Sequence, residues 1–290
     1  MTSEAPILPI GLMTPLRDLM EREIGIVLDD AKIPHLSAVV NERTRVLGLG
    51  DAWEYLLLLL KGPEAGAELR TLGAGLLVGE TSFFRTPGLY EVFERRILQE
   101  QLDRGISTPI PVWSAGCSSG EEAYTIAMAA LEWSAGRHEV PVRVRATDIH
   151  PGSLERAREG VYPAQALQGV PERLKARYFE PAGDGRFRVI DAVRRLVYFE
   201  ELNLMDLLAG SSSCIRYAAI FCRNVMIYFR DDTTRRLVER FHGCLVGGGV
   251  LFLGHSETLW GITDAFALEQ RQGVFFYRKT DETAPLFRLS

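Results

Sequence analysis

The sequence predicts an α/β protein in which an all-helical N-terminal domain precedes a mostly parallel, doubly wound sheet. Three observations predict it. Up to about residue 78 the apolar residues recur at helical spacing, and from Pro111 onward strand-like and helix-like segments alternate. The alternation opens with Val112 to Glu122, VWSAGCSSGEE, in which an apolar entry runs into small residues and then into a helix opening with two carboxylates. That is the profile of a parallel strand turning into a helix around a ligand.

Taken in order, Thr14-Pro15 reads as a helix start, with Leu16, Leu19, Met20, Ile24 and Val27 on one face. A second helix is expected from Ser37 to Leu47, stopping at Gly48, with Arg43 and Arg45 on a solvated face. Asp51 and Glu54 form a capping-box-like pair for a third, expected to bury Trp53, Leu56, Leu57 and Leu60 before Gly62-Pro63. Leu69, Leu72 and Leu76 mark a fourth. GETSFFR, residues 79–85, breaks this rhythm before Thr86-Pro87 starts a helix through about Leu102. Strand one then leads into a helix that buries Ala123, Ile126, Ala127, Ala130 and Leu131, and Val142, Val144 and Ala146 alternate as strand two, ending at Asp148. Residues 160 to about 200 interrupt the alternation. Pro171 to Phe179 reads as a short helix there, and Arg186 to Ile190 is expected to pair with Leu196 to Phe199 as a hairpin arm. Leu196 to Leu202 and Ala218 to Cys222 are further strands, Asp231 is expected to cap a helix that Gly247-Gly248-Gly249 terminates, and Val250 to Gly254 follows as a strand. Ala267 to Arg271 and Val274 to Tyr277 close the chain as an antiparallel hairpin.

Composition narrows the function. The 290 residues are 47% hydrophobic and 24% charged, with a formal net charge of -5. That is a soluble globular composition with room for two domains, and it argues against a general nucleic-acid binder, which would carry a basic field. Residues 1–78 hold seven Lys/Arg against eleven Asp/Glu, whereas 160–200 hold seven against five. The four cysteines have no C-x-x-C spacing, so free thiols in a reducing compartment are expected. The first residues lack a basic n-region, and Leu56 to Leu60 is too short an aliphatic run to span a bilayer. A cytoplasmic protein without membrane insertion is the expectation.

In the loop after strand one, small residues let a cofactor lie against the backbone. Glu121 and Glu122 at the helix start would repel phosphate, so a cationic or hydroxyl-rich ligand suits the turn better; S-adenosylmethionine is one such ligand. Asp148, at the end of strand two, stands where a carboxylate reaches ribose hydroxyls, or where an aspartate caps a helix. GETSFFR reads either as one wall of a cleft or as an interdomain plug with an exposed Arg85. No convincing Ser/His/Asp triad or metal-ligand set is legible.

In this order, GETSFFR, VWSAGCSSGEEAYTIA, ATDIHPGSLERAREGVY, AAIFCRNVMIYF and LFLGHSETL resemble the CheR-type chemoreceptor glutamate methyltransferases over almost the whole chain. The resemblance implies a class I, Rossmann-like S-adenosylmethionine-dependent methyltransferase with a mostly parallel seven-stranded sheet ending in an antiparallel strand. It implies residues 1–78 as the helical domain, 79–105 as linker and junction helix, and 106–290 as the methyltransferase domain with a small inserted β-subdomain at about 160–200. It implies S-adenosylmethionine as methyl donor, S-adenosylhomocysteine as product, and glutamates on the cytoplasmic helical bundle of chemoreceptors as acceptors. Matched to the family's motifs, Thr81, Arg85, Ala115, Glu121, Asp148, Asn203, Leu204, Arg223 and Asn224 are the expected cofactor contacts, and Arg85 and Tyr228 the residues beside the reaction.

The departures are also informative. The family's loop commonly reads A-A-A-S-T-G-E-E where this chain has Gly116-Cys117-Ser118-Ser119, and Gly79 replaces an asparagine common before its T-x-F-F-R motif. The segment EPAGDGRFRV is shorter than in members that bind a receptor's C-terminal tether peptide, which points to a tether-independent member; separately, a monomer is expected. A cofactor-binding regulator without turnover and a nicotinamide oxidoreductase on the same sheet type are the competing readings.

Overall fold

The computed structural model describes residues 7–77, 81–105, 109–135, 142–210 and 215–280. Helices α1 (Ile10–Ile24), α2 (Ile33–Val46), α3 (Ala52–Lys61) and α4 (Ala65–Leu76) pack around Leu12, Leu16, Met20, Leu36, Val40 and Leu72, all fully buried. The first helix starts before the expected Thr14-Pro15, with Pro9 as its cap and Pro15 inside it. Burial of Leu12 and Met13 in its opening turns offsets the backbone bond that Pro15 cannot donate. The second likewise starts earlier than Ser37, with Pro34 in its first turn.

The third helix presents a different face from the one expected. Asp51 accepts from the N–H groups of Trp53 and Glu54 at 2.8 and 3.0 Å, and Glu54 accepts from Gly50 at 2.8 Å, so the cap forms. The face turned inward is Tyr55, Leu56 and Leu59, while Trp53, Leu57 and Leu60 are exposed. A polar anchor that apolar spacing does not encode sets this phase: the buried Tyr55 hydroxyl donates to Glu68 at 2.7 Å, and Arg43 grips the same carboxylate with two bonds of 2.7 Å. Arg43 is therefore half-buried and tied into the bundle rather than on a freely solvated face.

A junction helix runs through α5 (Pro87–Val92), a π-helical turn (Phe93–Leu98) and α6 (Gln99–Asp103). Then come β1 (Ile110–Ala115), α7 (Glu121–Ser134), β2 (Val142–Asp148) and α8 (Pro151–Glu159). The inserted part holds β3 (Val161–Pro163), α9 (Glu172–Tyr178), β4 (Phe179–Pro181), β5 (Arg186–Val189) and α10 (Asp191–Arg194). The chain continues with β6 (Val197–Glu201), α11 (Asp206–Ala209), β7 (Tyr217–Cys222), α12 (Asp231–Cys244), β8 (Leu245–Leu253), β9 (Phe266–Arg271) and β10 (Val274–Lys279).

The main sheet has seven strands in the order β6-β2-β1-β7-β8-β10-β9, parallel except for β10, which is antiparallel to both its neighbours. Strand β1 lies between β2 and β7, so the chain leaves it toward one side and returns on the other. The crevice at the carboxyl ends of β1 and β7 is where open parallel sheets bind ligands.

Four local expectations need correction. Strand β5 pairs antiparallel with β3 and β4 in a separate three-stranded sheet, whereas β6 runs parallel to β2; the intervening α10 carries the chain from one sheet to the other. Asp231 is the first helical residue rather than the cap, placing its charge at the favourable end of the helix dipole. The glycine triplet lies inside β8, where Gly248 has φ +66° and the pairing with β7 shifts register. Cys117 and Cys222 are free and buried, but Cys244 is disulfide-bonded, where a free thiol is expected from the sequence. The closing hairpin forms as expected, with Gln272 and Gly273 at φ +50° and +77° making its tight turn.

Candidate functional site

The turn after β1 is built to bring backbone close to a ligand. The N–H groups of Gly116 and Cys117 both donate to the Thr147 carbonyl, at 2.8 and 2.9 Å, which draws the loop over the end of β2. Gly116 has φ +84°, and a Cβ there would fall 2.4 Å from the Val225 side chain, so this turn closes only around glycine. Gly120, at φ +94°, has the same need against Ala157 and Phe199. Asp148 then ties the loop to the strand end: one carboxylate oxygen accepts from Ser118 N–H at 2.7 Å and the other from His150 N–H at 2.9 Å. Burial pushes the Asp148 carboxyl above its ordinary range, with those N–H donors opposing.

Opposite this turn, Arg223 follows β7. Its guanidinium pairs with Glu122 at 3.1 Å and donates to the Thr86 hydroxyl at 2.9 Å, and the Ser114 hydroxyl holds the other Glu122 oxygen at 2.8 Å. The Arg223 Nε is buried without a hydrogen-bond partner. Asn224 stands in the left-handed region at φ +59°, and a turn of 3-10 helix, Met226–Tyr228, then presents Tyr228.

These elements surround a cavity of about 380 Å³. On its wall are Thr81, Arg85, Asp148, Asn203, Leu204, Arg223, Asn224 and Tyr228, eight of the ten residues singled out from the sequence. Ala115 and Glu121 are not on it. Ala115 packs with Trp113 in the core on one face of the sheet, and the buried Glu121 accepts from the Ser119 hydroxyl at 2.8 Å. Their neighbours Gly116 and Glu122 take the wall instead, one position along in each case.

The helical layer supplies the rest of the enclosure through Ile24, Ile26, Ala74 and Leu77, which no motif marks. It is fastened across the cavity. Asn203 Nδ2 donates to the Glu23 carbonyl at 2.7 Å, Val27 N–H donates to the Tyr228 carbonyl at 2.8 Å, Arg230 pairs with Glu21, and Arg70 pairs with Glu201 at 2.6 Å. Both polar atoms of the Asn203 side chain have a partner within the protein, since its Oδ1 also accepts from Met205 N–H at 3.0 Å.

The donor set fits S-adenosylmethionine. Arg85 and Arg223 suit a carboxylate; Glu122 and Asp148 suit an ammonium and ribose hydroxyls; Ile149, Leu202, Leu204 and Phe229 offer an apolar slot. Such a crevice at the switch point of a seven-stranded sheet with an antiparallel β10 defines a class I S-adenosylmethionine-dependent methyltransferase. Within that class, residues 79–275 match the model of the CheR methyltransferase, SAM binding domain, and the chain belongs to this family.

Among its relatives, the chemotaxis protein methyltransferase of Borreliella burgdorferi is 34% identical over 253 residues, covering 86% of this chain and 88% of that protein. Two proteins of Pseudomonas aeruginosa are similarly related. Chemotaxis protein methyltransferase 1 is 35% identical over 267 residues, covering 90% of this chain and 95% of that protein. Chemotaxis protein methyltransferase 2 is 37% identical over 245 residues, covering 83% and 84%. Among the described residues, no helix is long and apolar enough to cross a membrane.

Proposed function

We propose that the protein methylates glutamate side chains on the cytoplasmic helical bundle of chemoreceptors, forming methyl esters in chemosensory adaptation, and that it acts as a cytoplasmic monomer without a receptor tether peptide. The names of its relatives support the chemosensory setting. The observation that carries the chemistry is the convergence of Arg85, Arg223 and Tyr228 on one cavity that a helical layer closes. In this reading residues 1–78 are that layer's domain, 79–105 the connection, and 106–290 the methyltransferase domain.

Bound S-adenosylmethionine supplies an electrophilic methyl group on a sulfonium. A glutamate carboxylate, with an ordinary pKa of about 4.3, is already ionised near neutral pH, so the chain needs no general base. The work left to its residues is orientation and exclusion of water. Arg223 is fixed by Glu122 and Thr86, and its guanidinium on the cavity wall has further N–H groups that can donate to a carboxylate. Arg85, also on the cavity wall and next in sequence to Thr86, can hold a second carboxylate through charge-assisted hydrogen bonds. The Tyr228 hydroxyl can orient the acceptor oxygen. Ile24, Ile26 and Leu77 keep the site dry from the helical side.

The test is incubation with methyl-labelled S-adenosylmethionine and the cytoplasmic signalling domain of a receptor from the same genome. Label that mild alkali releases as methanol supports the proposal; label that survives alkali refutes ester formation.

A further inference from the structure

Beyond the cavity wall, the segment after β8 holds a carboxylate with an unusual load. The Glu257 side chain accepts four backbone N–H groups. Oε2 takes those of Gly254 and Asn224 at 2.6 and 2.7 Å, and Oε1 takes those of Met226 and Val225 at 2.8 and 3.0 Å. Three of the four donors are consecutive residues of the loop after β7, in which Asn224 is held at φ +59°. Gly254 makes room for the arrangement, since a Cβ there would come within 2.7 Å of the Glu257 carboxylate and 3.0 Å of the Asn224 nitrogen.

The loop so held forms part of the site. Asn224 and Val225 line the cavity, Val225 packs against Gly116 of the cofactor turn, and Tyr228 follows within the 3-10 turn. Glu257 itself is not on the wall. A single carboxylate thus satisfies three successive amides of the connection after β7, the last of them opening the 3-10 turn, and it joins the ends of β7 and β8 while doing so. Charge-assisted bonds from backbone N–H to carboxylate are about twice as strong as neutral ones, which suits a fixed rather than adaptable loop.

We propose that Glu257 is a positioning residue for methyl transfer: by clamping the amides of Asn224, Val225 and Met226 it sets the cofactor-facing loop and the place of Tyr228 without touching either reactant. The proposal rests on reading the cavity as the S-adenosylmethionine site. Glu257→Gln is nearly the same size, yet whichever way its amide turns, an NH2 faces two backbone N–H donors. Glu257→Asp keeps the charge but withdraws it by one methylene.

The experiment measures S-adenosylhomocysteine affinity by calorimetry and amide hydrogen exchange along the full-length chain, for the parent and both variants. In Glu257→Gln, the affinity should fall ten-fold or more and the amides of residues 224–226 should exchange at least ten-fold faster, while those within β7 and β8 keep their protection. Unchanged affinity with unchanged exchange at 224–226 would overturn the proposal. So would protection lost equally across β7 and β8, which would make Glu257 a general structural support. If Glu257→Gln does not fold, Glu257→Asp is held to the same pattern, and failure of both to fold counts against the proposal. A parent chain that does not bind S-adenosylhomocysteine would instead refute the reading of the cavity, with the exchange pattern still deciding whether Glu257 clamps the loop.

Discussion

Replacing Arg223 by methionine separates its structural from its ligand-binding role. In the ion pair with Glu122 the two side chains are only 6% and 12% exposed. Removing the cation leaves Glu122 with the Ser114 hydroxyl as its remaining bond in a poorly solvated place. Breaking a buried pair in this way costs about 3–5 kcal/mol, because an uncompensated charge stays behind, whereas replacing both partners by apolar residues of similar volume is often neutral. Arg223→Met should therefore lose about 3 kcal/mol or more in urea unfolding without cofactor, and Glu122→Leu/Arg223→Met should recover most of that loss. Calorimetry on the same proteins reads the other role: neither variant should bind S-adenosylhomocysteine with parental affinity. A single variant within about 1 kcal/mol of the parent would show that cavity water compensates Glu122. A double variant that binds like the parent would remove Arg223 from the cofactor site.

Three further outcomes follow from the same geometry. With the Asp148 carboxyl raised by burial, S-adenosylhomocysteine affinity should decline on acidification at a higher pH than an ordinary aspartate would impose, and Asp148→Asn should bind more weakly with that limb absent; calorimetry across pH measures both. Glu94 is pushed up to about 7, first by burial and then by the nearby Glu132 charge, so the native chain holds a proton there that the unfolded chain has released. Its contribution makes stability fall as pH rises from about 4.5 to about 7 and level off above, and urea unfolding of Glu94→Gln should show a shallower fall through that window. Asn203→Ala removes the bond to the Glu23 carbonyl, at a cost of about 1 kcal/mol, and should speed S-adenosylhomocysteine release several-fold in stopped-flow measurements by loosening the helical layer.

What could be read from the sequence depended on whether the signal was local. Asp148 at the end of β2, the small-residue turn and the Gln272-Gly273 hairpin each follow from a few adjacent residues, and each lies where expected. The phase of α3 did not, because a hydroxyl on one helix, a carboxylate on another and a guanidinium on a third decide it together. Residues adjacent in a motif can also face opposite ways: Ala115 enters the core while Gly116 faces the cavity, and Glu121 turns to Ser119 while Glu122 takes Arg223. The helical contribution from Ile24, Ile26, Ala74 and Leu77 carries no motif, since any apolar side chain of suitable size would close that wall.

The acceptor proposed for this protein is a glutamate carboxylate. Peptide mapping by mass spectrometry of a receptor signalling domain, after incubation with the protein and S-adenosylmethionine, tests it most directly. Methyl groups are expected on glutamate side chains alone, and should be absent when Arg85→Ala replaces the parent enzyme. Methyl groups on lysine, arginine or cysteine, or no transfer by a protein that binds S-adenosylhomocysteine, would contradict it.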